Sequence, residues 1–393
     1  MDPIKLSKEI HNDIINWRRE LHKIPGTGLD IEETYNFVCN ELTKMNIEFI
    51  TLSKTGICAL INGENPGPTI AIRADMDGLP IKEETGLKFA SNNNCMHACG
   101  HDAHTSMLLG TAKILSKYKS ILKGNVKLIF QPAEEISAGA EPMIAEGVLD
   151  NPKVDRVLGL HIGGFFPEVK AGMIGVRTGY TTSAVDKLSV TINGKGGHGA
   201  LPHLCVDPIS IGAEMISALQ RIVSREINPL HPVVITIGSI EGGSTWNIIP
   251  ESVHFQGTIR TIFPEDRELV EKRVIEICNG IASTNGASAD VVYDKICPSV
   301  NNNSEVTKSF MKSALKIVGE ENLVYLKEPT MVSEDMAYYL QNVPGTFFFL
   351  GSNNPKKGII YPHHHPKFDV DEDVLWIGPA IFVQAVLDYN SNL

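Results

Sequence analysis

A basic excess is what this sequence most plainly lacks: Asp and Glu outnumber Lys and Arg, 46 to 35, for a formal net charge of −11. Nucleic-acid binding depends on clustered cations that displace counterions from phosphates, so no nucleic-acid partner is expected. Long apolar runs are missing too. The opening residues, MDPIKLSKEIHNDIINW, are charged and amphipathic instead of basic and then continuously apolar. Neither a signal peptide nor a membrane anchor is read there, and the cytoplasm is the expected compartment. Cysteines are few and odd in number, at positions 39, 58, 95, 99, 205, 278 and 297. That pattern reads as reduced thiols and argues against a disulfide at Cys99. Fixed-period repeats and low-complexity tracts are also absent, leaving an ordinary folded chain of enzyme size.

What the chain has is length and order. Its 393 residues exceed what one core usually fills, roughly 250 to 300, so two domains are expected. Residues 6 to 24 carry apolar positions at helical spacing (Leu6, Ile10, Ile14, Trp17, Leu21) and are closed by PGTG, which predicts one helix. Four short apolar runs end in chemically able residues: PTIAIRADMD (68–77), VKLIFQPAEE (126–135), VLGLHIGG (157–164) and GTFFFLGSNN (345–354). Each reads as a buried strand followed by a loop. Helical patterns in HTSMLLGTAKILSKY and from Ala140 to Gly147 separate the first three runs. The expected fold is therefore α/β, a mainly parallel sheet with helices on both faces that binds ligands beyond the carboxyl ends of its strands. From Ser183 to Asp294 the rhythm becomes strand, helix, strand, strand, helix, strand, the order of a ferredoxin-like α+β unit. The expected domains are a discontinuous larger one, 1–182 and 295–393, ending in a helix from Glu372 to Tyr389, and an inserted smaller one, 183–294.

The stretch MHACGHDAH sets Cys99, His101 and His104 on a loop leading into a helix, with Gly100 permitting a tight turn. Thiolate and imidazole suit zinc and similar divalent ions, and carboxylates add oxygen donors. The strand ends supply the rest: Glu134 and Glu135, His161, and PHHHP at 362–366. Alone, these read as a solvated helix start, a hydrogen-bonded core histidine and a polar loop. Gathered at the carboxyl ends of one sheet, they read as a metal site. Neighbouring carboxylates diverge in an extended segment, so one can hold metal while the other faces a bound water as general base. The rival reading, a Cys99 nucleophile beside a histidine, leaves the carboxylates and His161 without a role. The loop NGKGGHGALPH, with His198, is not read as a phosphate cradle; it is either a flexible turn or a mobile loop presenting a histidine to an oxyanion.

These segments, together with LHKIP, RADMDGLPIKEETGL, GKGGHGALPH, VDP, NIIP, SEDMAYYL and HHPKFDVDE, resemble the amidohydrolase branch of the two-metal aminoacylase and peptidase superfamily over nearly the whole chain. That branch includes indole-acetyl-amino-acid hydrolases, hippurate hydrolases and N-acetyldiaminopimelate deacetylases. The resemblance implies metal ligands at Cys99, His101, Glu135, His161 and His364, and a general base at Glu134. Within the triplet it selects His364, two residues before Pro366. It implies that the insert is a satellite domain mediating dimerisation, that His198 polarises the scissile carbonyl from its own or a partner subunit, and that Asn247 and Arg260 stand near a substrate carboxylate. Two departures stand out. Asp75-Met76-Asp77 replaces the H-x-D pair of the peptidase branch, so Asp75 is not counted as a ligand, and Asp77 is expected to orient a metal histidine. Pro25 is followed by Gly26 where the early motif often reads HxxPE.

The expected activity is hydrolysis of small N-acyl amino acids with two divalent ions per subunit (Zn, Mn, Co or Ni), in a homodimer or larger homo-oligomer. A dipeptidase with the same chemistry and a non-catalytic metal-dependent binding protein are the alternatives. His97 and His104 are expected to be supporting residues.

Overall fold

The structure is a computed structural model that describes residues 1–391. The chain forms two compact units: Met1–Gly179 with Val300–Thr330 and Asp335–Leu393, and Tyr180–Ser299 with Met331–Glu334. The N-terminal region departs from the single helix expected over 6–24. It forms two, Pro3–Glu9 and His11–His22, with Ile10 outside helical geometry between them. Asp2 accepts from the Lys5 N–H at 3.1 Å and Pro3 supplies a preset φ, so the first helix starts before the apolar pattern does.

An eight-stranded mixed sheet organises the larger unit, in the spatial order Glu48–Leu52, Gly56–Asn62, Lys123–Gln131, Asn65–Asp75, Arg156–Gly163, Gly345–Gly351, Ile174–Val176, Leu323–Tyr325. The inner four strands pair in parallel, and the first two are added antiparallel at one side. Gly345–Gly351 and most of Arg156–Gly163 are buried on both faces, which is why they read as unbroken apolar runs. Leu158, Leu160 and Ile162 face a core shared with the helices His11–His22, His101–Ser116 and Ile377–Ser391. The short helices Ala140–Ala145 and Met336–Asn342 belong to the other face and touch through Tyr339 and Met143.

The strand Asn65–Asp75 lies between Lys123–Gln131 and Arg156–Gly163, so the chain leaves it toward one neighbour and later returns on its other side. Such a switch point opens a crevice at the carboxyl ends of the strands. Asp75, the glutamate pair and His161 all come from those ends.

The smaller unit is an antiparallel four-stranded sheet, ordered Val233–Gly242, Ser252–Thr261, Ala184–Asn193, Ser288–Cys297. Two helices, Pro208–Arg221 and Pro264–Thr284, complete a ferredoxin-like fold. The alternating residues Leu188, Val190 and Ile192 meet Ile211, Met215, Val270 and Val274 in its core. Gly194, Gly196 and Gly199 stand at the spacing of a dinucleotide fingerprint, but the helix opens only at Pro208 and no parallel crossover follows. No helix among the described residues is long and apolar enough to cross a membrane.

Candidate metal centre

The ligand-bearing turn begins at Gly100, whose φ of +88° is the left-handed geometry glycine adopts freely. A Cβ there would also lie 2.7 Å from Ile162 Cγ2. The structure corrects the expected loop: His101 is the first residue of the helix and His104 lies in its first turn, both buried. Cys99 and His101 therefore converge across a left-handed glycine, not along an extended segment.

The glutamates also depart from expectation. Ala133 takes a φ of +58°, and the Ser137 N–H closes a turn onto the Glu134 carbonyl at 2.7 Å. In this turn the two carboxylates do not diverge: Glu134 Oε2 and Glu135 Oε1 each lie 3.9 Å from His101 Nε2. Asp77 holds the turn from beneath, Oδ1 accepting from the Glu134 N–H at 3.0 Å and Oδ2 from the Glu135 N–H at 3.2 Å. The same carboxylate faces His101 Nδ1 at 3.4 Å.

Cys99 Sγ lies 3.5 Å from His161 Nε2. His161 Nδ1 donates to the Ile162 carbonyl at 2.8 Å, which leaves the Nε2 lone pair directed at the thiol. The histidine triplet divides its work. His363 Nε2 donates to the same Ile162 carbonyl at 3.0 Å, and its ring stacks flat on Phe165 at 3.8 Å. His364, at a left-handed φ of +63°, donates its N–H to the Ala98 carbonyl at 2.8 Å and places Nε2 3.4 Å from Glu135 Oε2. His365 turns away, stacking on Tyr361 and accepting from the Lys367 N–H.

Donor atoms of Cys99, His101 and His161 fall within 4.8 Å of one another, as do those of Cys99, Glu135 and His364, and of His101, Glu134 and Glu135. Asp75, His101 and His104 form a further such group. His104 is already committed, however: Nε2 accepts from the Ile162 N–H at 2.8 Å and Nδ1 donates to Asp75 Oδ1 at 2.5 Å. Asp75 is equally engaged, accepting from the Arg73 guanidinium at 2.9 Å.

The electrostatics favour a cation. His101 Nδ1 and Nε2 and Glu135 Oε1 are buried without a hydrogen-bond partner, an arrangement that costs free energy unless something answers those polar atoms. Burial pushes the Glu135 carboxyl up to about 7. Burial would lower His101, but Asp75 foremost, with Asp77 and Glu135, lifts it to about 10. In this setting the imidazolium proton answers the surrounding carboxylates. A divalent ion, displacing that proton, would take over the task, and the residues present fit one: thiol, imidazole and carboxylate donor atoms gathered within 4.8 Å of one another.

Three networks around the centre had little sequence signal. Arg73 bridges Asp75, Gln131 and Asp335, the last at 2.6 Å from a residue 262 positions away. Burial pushes Asp335 up to about 6. The Ile162 peptide anchors three imidazoles. Arg18, His22, Glu83 and Asp102 form a third, buried cluster. Only the polar positions Arg18 and His22 within an otherwise apolar helix face hinted at it.

The other expected residues lie in the smaller unit. His198 is exposed on a short strand paired to Ile248, and its Nδ1 accepts from the Ala200 N–H at 3.0 Å, so Nε2 carries the proton. Asn247 is next to it, its carbonyl accepting from the Gly199 N–H at 2.9 Å. Arg260 is half-buried on Ser252–Thr261, hydrogen-bonded to Thr258 Oγ1 and to the Ile259 carbonyl at 3.2 Å.

Residues 71–388 match the sequence profile of peptidase family M20/M25/M40. The chain belongs to that family. It is 41% identical to an N-acetyl-L-cysteine deacetylase of Bacillus subtilis, covering 95% of this chain and 87% of that protein. It is 40% identical to thermostable carboxypeptidase 1 of Saccharolobus solfataricus, over 94% of both chains. Among solved structures, a Bacillus subtilis protein described as a dinuclear metal binding peptidase from the M20 family superposes with a TM-score of 0.84 at 34% identity, covering 98% of this chain and 99% of that one. The M20 fold thus includes both the mixed sheet and the inserted antiparallel sheet.

Proposed function

We propose that this M20 hydrolase cleaves the amide bond of small N-acyl amino acids with two divalent ions, drawn from Zn, Mn, Co or Ni. The observation that carries the reading is the convergence of donors: His101 Nε2 and Glu135 Oε1, buried, without a hydrogen-bond partner and 3.9 Å apart, lie beside Cys99, Glu134, His161 and His364. Cys99, His101, Glu135, His161 and His364 would hold the ions. Cys99, His101 and Glu135 each belong to more than one of the overlapping donor groups, which joins the five residues into one cluster. Such ions, when bound, act as Lewis acids that make water nucleophilic near neutral pH.

Glu134 acts as the general base. It takes a proton from water as the new C–O bond forms, then gives it to the leaving amine as the C–N bond breaks, yielding a carboxylate and an amino acid. Asp77 aims Glu134 by fixing its backbone N–H, and orients His101. His198, a neutral Nε2–H donor, stabilises the oxyanion from its own or a partner subunit. Asn247 and Arg260 receive the substrate carboxylate. The smaller unit, which contains the expected 183–294, serves as the satellite and dimerisation domain.

Similarity to a carboxypeptidase favours one second reading, cleavage of peptide bonds by the same chemistry. Metal-loaded protein assayed on N-acetyl, N-benzoyl and indole-acetyl amino acids beside dipeptides separates the two. No turnover on any of them would leave a metal-dependent binding protein. Glu134→Gln should keep its metal while kcat falls at least about 100-fold; retained turnover would remove Glu134 as the base. Cys99→Ala should instead lower metal content, and a variant that kept its metal but lost a thiol-dependent burst would restore the nucleophile reading.

A further inference from the structure

The helix that presents His101 is gripped, one residue further on, by side chains outside the donor set. Asp102 is wholly buried, and its Oδ2 accepts from Arg18 Nε at 2.8 Å and from His22 Nδ1 at 2.7 Å. His22 reaches through its other nitrogen to Glu83 Oε1 at 3.1 Å. Carboxylates only accept, so an imidazole between two of them donates from both nitrogens and is a buried cation. Arg18 is 1% exposed and spreads its remaining nitrogens over Asp369 at 2.8 Å and Glu372 at 3.2 Å. Phe89 covers the cluster, with the Arg18 guanidinium 5.1 Å from its ring centre.

These partners come from segments that carry different parts of the centre. Asp102 follows His101, Asp369 and Glu372 follow His364, and Glu83 belongs to the loop whose Glu84 N–H donates to the Pro366 carbonyl at 2.8 Å. A planar guanidinium with five fixed donors suits such a junction, because it constrains direction as well as distance. We propose that Arg18 and His22 are positioning residues that clamp the His101 helix to the His364 segment and thereby set the spacing of the metal donors. The proposal rests on the metal-centre reading above. Neither residue touches the donor atoms: Arg18 acts through Asp102, Asp369 and Glu372, and His22 through Asp102 and Glu83.

The test is divalent-ion affinity, read by competition of zinc between the protein and a chromophoric chelator at a temperature well below every variant's melting point. Wild type and Cys99→Ala calibrate the assay: a wild type that binds no zinc sinks the metal-centre reading itself, not the clamp. Arg18→Gln should weaken zinc binding about 10- to 100-fold, with Arg18→Lys recovering part of the loss. Val383→Ala, a core truncation in the same unit at a residue that is not one of the cluster's partners, supplies a variant destabilised with every clamp contact intact. If Arg18→Gln fails to fold, Asp369→Asn keeps the Arg18–Asp102 contact and removes the charge from the shorter of the two ties toward the His364 segment, leaving Glu372 in place; it should weaken zinc at least threefold. Zinc affinity within twofold of wild type in Asp369→Asn or in folded Arg18→Gln, or an equal loss in Val383→Ala, would overturn the proposal.

Discussion

Asp77→Asn tests the turn beneath the glutamates with almost no change of shape. The Asp77 carboxylate accepts two backbone N–H groups, those of Glu134 and Glu135, one on each oxygen. An asparagine retains one acceptor and turns the other into a donor, so one buried N–H is left facing an N–H. A buried donor without a partner costs about 1–3 kcal/mol, and the surviving bond loses its charge assistance, worth about 1 kcal/mol more. The expected loss of unfolding free energy is therefore about 2–4 kcal/mol, measured by urea denaturation. Because the same carboxylate faces His101 Nδ1 at 3.4 Å, zinc affinity should fall as well, about 10- to 100-fold. Stability within 1 kcal/mol of wild type together with unchanged zinc affinity would refute the assignment of Asp77 as the support of both glutamates and His101.

Two further outcomes follow from the geometry. Gly163 has a φ of +138°, and a Cβ there would lie 1.9 Å from His363 Nε2. Gly163→Ala should therefore expel His363 from the Ile162 carbonyl and from Phe165, destabilising the protein by about 2–5 kcal/mol once strain, hydrogen bond and stacking are counted, as read by denaturant unfolding. A loss below 1 kcal/mol would argue against it. Burial pushes the His22 pKa down, but Asp102 and Glu83 outweigh burial and the opposing Arg18, so its folded value is raised. Its stabilisation should be complete below the unfolded value of about 6.5 and should fade as pH rises through the higher folded value. The stability gap between wild type and His22→Gln, followed from pH 6 to 9, should accordingly narrow; a widening gap would reverse the sign.

The strands ending in Asp75, Gln131 and Gly163 could be read from sequence because a strand buried on both faces is an unbroken apolar run, and chemistry placed just beyond it marks a carboxyl end. The inserted unit was readable for a related reason, since its strands alternate and its helices keep a clear period. Local spacing failed where contacts are remote. Nothing near Arg73 announces Asp335, and three adjacent histidines offer no periodicity that would distribute them among Ile162, Glu135 and Tyr361. The divergence expected of Glu134 and Glu135 presumed extended backbone, whereas Ala133 adopts a left-handed turn that an alanine does not advertise. The break at Ile10 was hidden by an apolar pattern that runs across it.

The strand Arg156–Gly163 pairs with Asn65–Asp75 only as far as Gly159, because the two separate as they approach the centre. Past that point the Ile162 peptide has no strand on that side, and imidazoles occupy its hydrogen-bonding groups: His104 on the N–H, His161 and His363 on the carbonyl. The parting of two strands is therefore what creates the sockets for the histidines. A change that extended the pairing by two residues, however favourable for the sheet, would evict those rings. Sheet regularity and the chemistry of this centre compete for the backbone N–H and carbonyl of the same residue.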